Sequence, residues 1–225
     1  MQNKTVARTV GALFITGTVA GILSVAVTGS ILNSQDYLAK IADNEGRVVM
    51  GALFVLIMAF SLAMIPVILF PIFKKYNEAL ALGAVLFRGA LETFMYITIV
   101  IGWILLIALS HQEGIATDTS LQATGTLLQT AGTWSAHILA IVFSLGALMV
   151  YCLFYISKLI PVWLSVWGIA GAILYLATSL LVMFGLTDFG MLMAPLALQE
   201  MVLAVWLLTK GFRSGGEVSA TRPKP

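Results

Sequence analysis

The sequence predicts an all-α fold, a polytopic membrane helical bundle with six transmembrane helices and both termini cytoplasmic. Three observations carry this. The 225 residues are 60% hydrophobic and only 10% charged, with a mean hydropathy of +1.01, where soluble domains run at roughly 45–50% apolar and about 25% charged. The apolar residues fall in six continuous runs, not in the alternating pattern of a membrane barrel. The basic residues gather on one side of those runs. So few charges cannot coat a compact globule, which excludes a soluble enzyme, a nucleic-acid binder and a disordered chain.

A helix needs about 20 mostly apolar residues to cross the hydrocarbon core, and a bilayer admits helices because they satisfy their own backbone. The spans are expected at about 9–32, 48–73, 80–109, 133–157, 162–185 and 191–209. Lys4 and Arg8 precede the first run as they would in a secretion signal. That run is longer than the roughly 7–15 residues of a signal core, so it reads as an uncleaved helix. Residues 33–47 suit a small interfacial helix, with Tyr37, Leu38 and Ile41 on one face and Ser34 as its cap. Residues 110–132, rich in Ser, Thr and Gly, read as a flexible loop. Pro66 and Pro71 interrupt the second span and Pro195 the start of the sixth, as kink sites. Gly17 with Gly21, and Gly168 with Ala172, are small pairs that let helices approach closely. Trp103, Trp134, Trp163, Trp167 and Trp206 fall mostly toward span ends, as an aromatic belt does. The organisation is therefore a six-helix bundle over 1–209 and a disordered, basic cytoplasmic tail over 210–225.

Charge sets the orientation. Lys4, Arg8, Lys74, Lys75, Lys158, Lys210, Arg213, Arg222 and Lys224 put nine of the 12 Lys and Arg on one side. The other side holds Lys40 and Arg47 among Asp36, Asp43, Glu45, Glu113, Asp118 and Asp188. Positive connections stay in the cytoplasm, so both termini lie inside and the number of spans is even. The expected location is the cell membrane, multi-pass, with the lipid bilayer as partner.

Little else in the sequence carries chemistry. A net charge of +2 is too small to imply nucleic acid. The single cysteine, Cys152, reads as a packed residue, with palmitoylation as the alternative. His111 and His137 cannot furnish a zinc cluster or a haem pair, so no cofactor and no metal is expected.

Three ionisable residues inside the spans stand apart: Arg88, Glu92 and Glu200. Each costs on the order of 2.5–3.5 kcal/mol near the bilayer centre on insertion scales, so each is expected to face the interior and pair. Arg88 and Glu92 are four apart on one helix face. Counting about 1.5 Å per residue from the span ends puts all three in one midplane layer. Arg88 is expected to bridge Glu92, Glu200 or both, a planar guanidinium suiting two carboxylates; the alternative is that it snorkels to the headgroups. One Arg against two acids leaves a surplus negative charge unless one acid holds a proton. The layer is either a lock between the third and sixth helices or a functional site. As a site, it would bind or transport a small or lipid-like molecule. The alternatives are a membrane-embedded enzyme using a buried Glu as general acid on a lipid or isoprenoid, and a structural or accessory membrane protein.

Four segments carry a family resemblance. They are Arg-Thr-Val-Gly-Ala-Leu opening at Arg8, Leu-Phe-Arg-Gly-Ala-Leu-Glu around Arg88 and Glu92, and Lys-Leu-Ile-Pro-Val-Trp-Leu-Ser-Val-Trp-Gly from Lys158. The fourth is Pro-Leu-Ala-Leu-Gln-Glu-Met-Val-Leu-Ala-Val-Trp-Leu-Leu-Thr-Lys-Gly from Pro195. Together, over nearly the whole chain, they resemble a bacterial membrane family catalogued as domain of unknown function 4386. The resemblance implies a six-helix protein of the bacterial inner membrane and supplies no reaction.

Overall fold

The computed structural model describes residues 2–112, 118–186 and 190–213. Every regular element among them is helical. Helix α1 covers Gln2–Leu32, α2 Tyr37–Asp43 and α3 Glu45–Phe73; α4, Glu78–Ala84, passes through a π-helical stretch, Val85–Leu91, into α5, Glu92–Ser110. Then come α6, Thr119–Ser157, α7, Val162–Met183, a 3-10 turn at Gly190–Met193 and α8, Ala194–Thr209. Six of these rods are long and apolar enough to cross a membrane: α1, α3, the α4–α5 rod, α6, α7, and α8 with the turn before it.

The rods stand in chain order around the bundle, each beside the next, and α8 returns to pack on α1. Small residues set the closest approaches. At Gly11 an added Cβ would lie 2.8 Å from the carbonyl oxygen of Ala204, so the backbones of α1 and α8 approach closely there. Gly17 and Gly21 receive Leu62 and Met58 of α3, and Gly168 of α7 receives the ring of Tyr151. Ser24 donates from α1 to the Gly51 carbonyl of α3 at 2.9 Å, a polar tie of the kind apolar helices use. Both ends of the described chain share one face, since Gly211 lies against Lys4 and Ala7. That terminal face also carries the α3–α4 and α6–α7 turns.

The main core fills the half of the bundle nearest the terminal face, where Phe14, Leu69, Phe73, Phe154, Leu164 and Leu207 pack together. The α6–α7 turn contributes to it. Lys158 takes a left-handed backbone, φ 53°, which turns the chain so that Leu159 and Ile160 are buried. The Arg213 backbone N–H then donates to the Leu159 carbonyl at 2.8 Å. Lys210–Arg213, expected in a free tail, are therefore held against the bundle, Phe212 packing on the core. The rest of the expected tail, with Arg222 and Lys224, lies outside the described residues, as do Glu113 and Asp188.

The half away from the terminal face departs from expectation in three places. Residues 119–132 form the first turns of α6 instead of a loop. Asp118 caps it by accepting from Ser120 N at 2.8 Å, and Thr124, Thr126 and Thr130 donate back to carbonyls four residues earlier. Polarity hid this helix, because it earns its stability by packing: Gly125 sits on Tyr37 and Leu38, and Gln129 donates to the last carbonyl of α1, at Leu32. The interfacial helix forms, with Tyr37, Leu38 and Ile41 packed against Ile31, Val48 and Leu106. Ser34 does not cap it, donating instead to Ile31 O at 2.9 Å. Pro195 opens the first turn of α8, where its missing N–H leaves no bond unmade, so it interrupts nothing.

Helix α8 is short. With Ala204 level with Gly11, its first residue, Ala194, reaches about the level of Gly21. Beyond that level α1 continues for roughly 16 Å to Leu32 without α8 beside it.

Gly11→Val is expected to cost about 1–3 kcal/mol through overpacking of the α1–α8 contact, read as a lower thermal midpoint of the detergent-purified protein. Gly46→Val, where an added Cβ meets nothing within 4 Å, should leave that midpoint within a degree or two of wild type.

Candidate functional site

The site begins with a helical irregularity. The side chains turned inward along the α4–α5 rod are spaced by fours: Ala84, Arg88, Glu92 and Val100 are buried, and Tyr96 lines an internal cavity. An ideal α-helix, at 3.6 residues per turn, drifts about 40° for each such step. The π-helical stretch Val85–Leu91, where Glu92 N donates five residues back to Phe87 O, takes up that drift with a wider turn. Such insertions are common where helices carry function. Thr93 supports it, donating to the Gly89 carbonyl at 2.6 Å.

Arg88, so placed, reaches across the bundle. Its Nη2 lies 2.7 Å from Oε1 of Glu200 on α8, and its Nη1 lies 3.7 Å from Oε2 of Glu92. The first is a charge-assisted hydrogen bond and the second is too long for one. Arg88 Nη1 and both Glu92 carboxylate oxygens have no hydrogen-bond partner among the described residues. The structure thus brings all three sequence-predicted residues together, unequally. Snorkelling does not occur, the Arg88 side chain being 2% exposed.

Residues that the sequence reading passed over complete the surroundings. Tyr151 of α6 donates its hydroxyl to Glu200 Oε1 at 3.4 Å. The ring of Phe143 lies 4.4 Å from the Arg88 guanidinium carbon, a cation–π contact, and meets Tyr175 edge-on at 5.0 Å. Helix α6 comes this close because of Gly146, where a Cβ would stand 2.8 Å from the Arg88 backbone nitrogen. Gln199, beside Glu200, donates to the Leu164 carbonyl at 3.0 Å and ties α8 to α7. The signal for these lay in the inner face of α6, where Ser144, Ala147, Val150, Tyr151 and Phe154 recur at helical spacing and are all buried.

Beside the layer lies a cavity of about 740 Å³, lined by residues of α1, α3, α5, α6, α7 and α8. Its walls are mostly apolar; Thr18, Tyr96, Tyr175 and Glu200 supply the polar groups. It lies against the first turns of α8, at Ala197 and Glu200, and extends past the start of that helix along α1 to Val25 and Ala26. It opens on the flank, since Ile22 and Val25 both line it and are 63% and 70% exposed. Glu200, its side chain 12% exposed, meets the cavity. Arg88 and Glu92 are not among the lining residues.

His137 stands edge-on to Trp134 with ring centroids 5.7 Å apart. His111 pairs with Glu45 at 3.1 Å on the surface. Cys152 is half-buried and unpaired. No cluster of three His, Cys, Asp or Glu able to hold a metal occurs among the described residues.

With this geometry in view, the chain belongs to the family described as Domain of unknown function (DUF4386), whose model matches residues 9–211. That stretch contains Arg88, Glu92 and Glu200. No curated protein and no solved structure matches the chain.

The unequal distances order the cost of removing each charge. Arg88→Met leaves two buried carboxyls facing each other and is expected to cost about 3–5 kcal/mol. Glu200→Gln breaks the short bond but leaves Arg88 beside Glu92, at about half that cost. Glu92→Gln, which loses no hydrogen bond, is expected to change stability least. Thermal midpoints of the three variants in one detergent check the order.

Proposed function

We propose that this protein binds or transports a small or lipid-like molecule in the cavity beside Glu200. The observation that carries the reading is the cavity's size and chemistry. About 740 Å³ falls within the roughly 300–1,000 Å³ of small-molecule sites, which pair apolar walls with a few placed polar groups. The flank opening at Ile22 and Val25 favours a molecule that partitions into lipid, because it could pass sideways between helices without crossing water.

The surroundings support a cell-membrane protein with both termini cytoplasmic. Lys4, Arg8, Lys74, Lys75, Lys158, Lys210 and Arg213 gather at the terminal face. Positive connections remain in the cytoplasm, and on that reading the cavity belongs to the half of the bilayer away from it. The Arg88–Glu200 bridge serves this function as well as the fold, fixing the carboxylate at the cavity wall. A general acid acting on lipid is less well supported, since the carboxyl that meets the cavity is the one committed to Arg88.

An environment-sensitive alkyl fluorophore added to the nanodisc-reconstituted protein tests the reading. Ala140→Trp, which fills the cavity from α6, is expected to weaken binding by at least about tenfold. Ile101→Trp, on an exposed site outside the cavity, is expected to bind as wild type does. Equal binding by all three proteins would overturn the proposal.

A further inference from the structure

We infer that the molecule held in the cavity is a lipophilic cation, an alkyl chain bearing an ammonium head, with the head at Glu200 between Tyr96 and Tyr175. The inference rests on the proposed function and adds the ligand's charge.

The wall decides the sign. Among the cavity-lining residues Glu200 is the one that carries a charge. The guanidinium that neutralises it stands behind the wall: Arg88 is 2% exposed, and Phe143, whose ring covers it, is the residue that lines the cavity. A ligand therefore meets a carboxylate and an aromatic ring, not the cation behind them.

The charge count points the same way. Glu92 and Glu200 share one Arg88, and the other described Lys and Arg lie toward the two faces of the bundle. With both acids ionised, the layer holds one surplus negative charge in apolar surroundings, where an unbalanced charge is costly. An anionic ligand adds to the surplus and a neutral one leaves it. A cation removes it.

Geometry leaves room for the contact. Arg88 and Tyr151 both bond Oε1 of Glu200, so Oε2 carries neither contact and can face the positive charge of an ammonium head. Tyr96 and Tyr175 line the same space, and aromatic faces attract ammonium groups. The alkyl chain would run from there along α1 to the opening at Ile22 and Val25.

Competition against the alkyl fluorophore distinguishes the possibilities. The competitors are hexadecyltrimethylammonium, hexadecanol and hexadecyl sulfate, used with the full chain in phosphatidylcholine nanodiscs and protein-free discs as blanks. The ammonium is expected to displace the fluorophore at a concentration at least about tenfold below that of the alcohol, and the sulfate is expected to be poorest. In Glu200→Gln that preference should fall below about threefold, with helical circular dichroism and size-exclusion elution reporting an intact fold, while Ile101→Trp, outside the cavity, keeps the wild-type preference. Should Glu200→Gln fail to assemble, Glu92→Gln keeps the Arg88–Glu200 bridge, removes the surplus charge and is expected to lose the preference likewise. If the alcohol competes as well as the ammonium in the wild-type protein, the cation assignment falls and the cavity reading stands. If none of the three competes and Ala140→Trp has no effect, the cavity reading falls with it.

Discussion

One buried guanidinium constrains the middle of this protein more than any apolar contact does. Arg88 has nowhere to put its charge except on Glu200, at 2.7 Å, with Glu92 close by. In apolar surroundings neither ion is tolerable alone, so the α4–α5 rod and α8 must face each other across the bundle at that depth and in that register. The other local features follow from this. The π-helical turn aims Arg88 and Glu92 at the same interior, Gly146 lets α6 close over the arginine backbone, and Phe143 and Tyr151 cover the pair from that side.

The two halves of the bundle differ in how they are filled. Toward the terminal face the rods are packed through, from Phe14 on α1 to Leu207 on α8. Away from it, smaller clusters join α1, α2, α3 and α5, and the space from the first turns of α8 outward along α1 is left as the cavity. The charged layer lies at the boundary. Stability and vacancy are thus separated along the axis, with the salt bridge as the floor of the empty part.

Much of the fold was legible because membrane insertion demands long apolar runs, and the positions of all six rods can be read from hydropathy alone. The three charged residues were legible for the same reason, as exceptions that the lipid would not permit unpaired. What escaped was set by packing between elements. The first turns of α6 are polar and look like a loop until Gly125 and Gln129 are seen against α2 and α1. Ser34 has the chemistry of a cap, yet the chain turns before it can serve as one. The π-helical turn did leave a trace, the spacing by fours from Ala84 to Val100, but a single four-residue step between Arg88 and Glu92 fits an ordinary helix equally well. The cavity left none, because it depends on where α8 stops relative to α1.

The fastening at the terminal face has a mechanical consequence. The Arg213 N–H on the Leu159 carbonyl, with Gly211 against Lys4 and Ala7, pins the last rod to both the first rod and the α6–α7 turn. A piston stroke of α8 along its own axis would tear these contacts and pull Glu200 off Arg88 together. At the opposite face Gln129 ties α6 to α1 and the cluster around α2 joins α1, α3 and α5, so these rods are clasped at both ends and the space above the salt bridge is held open between two collars.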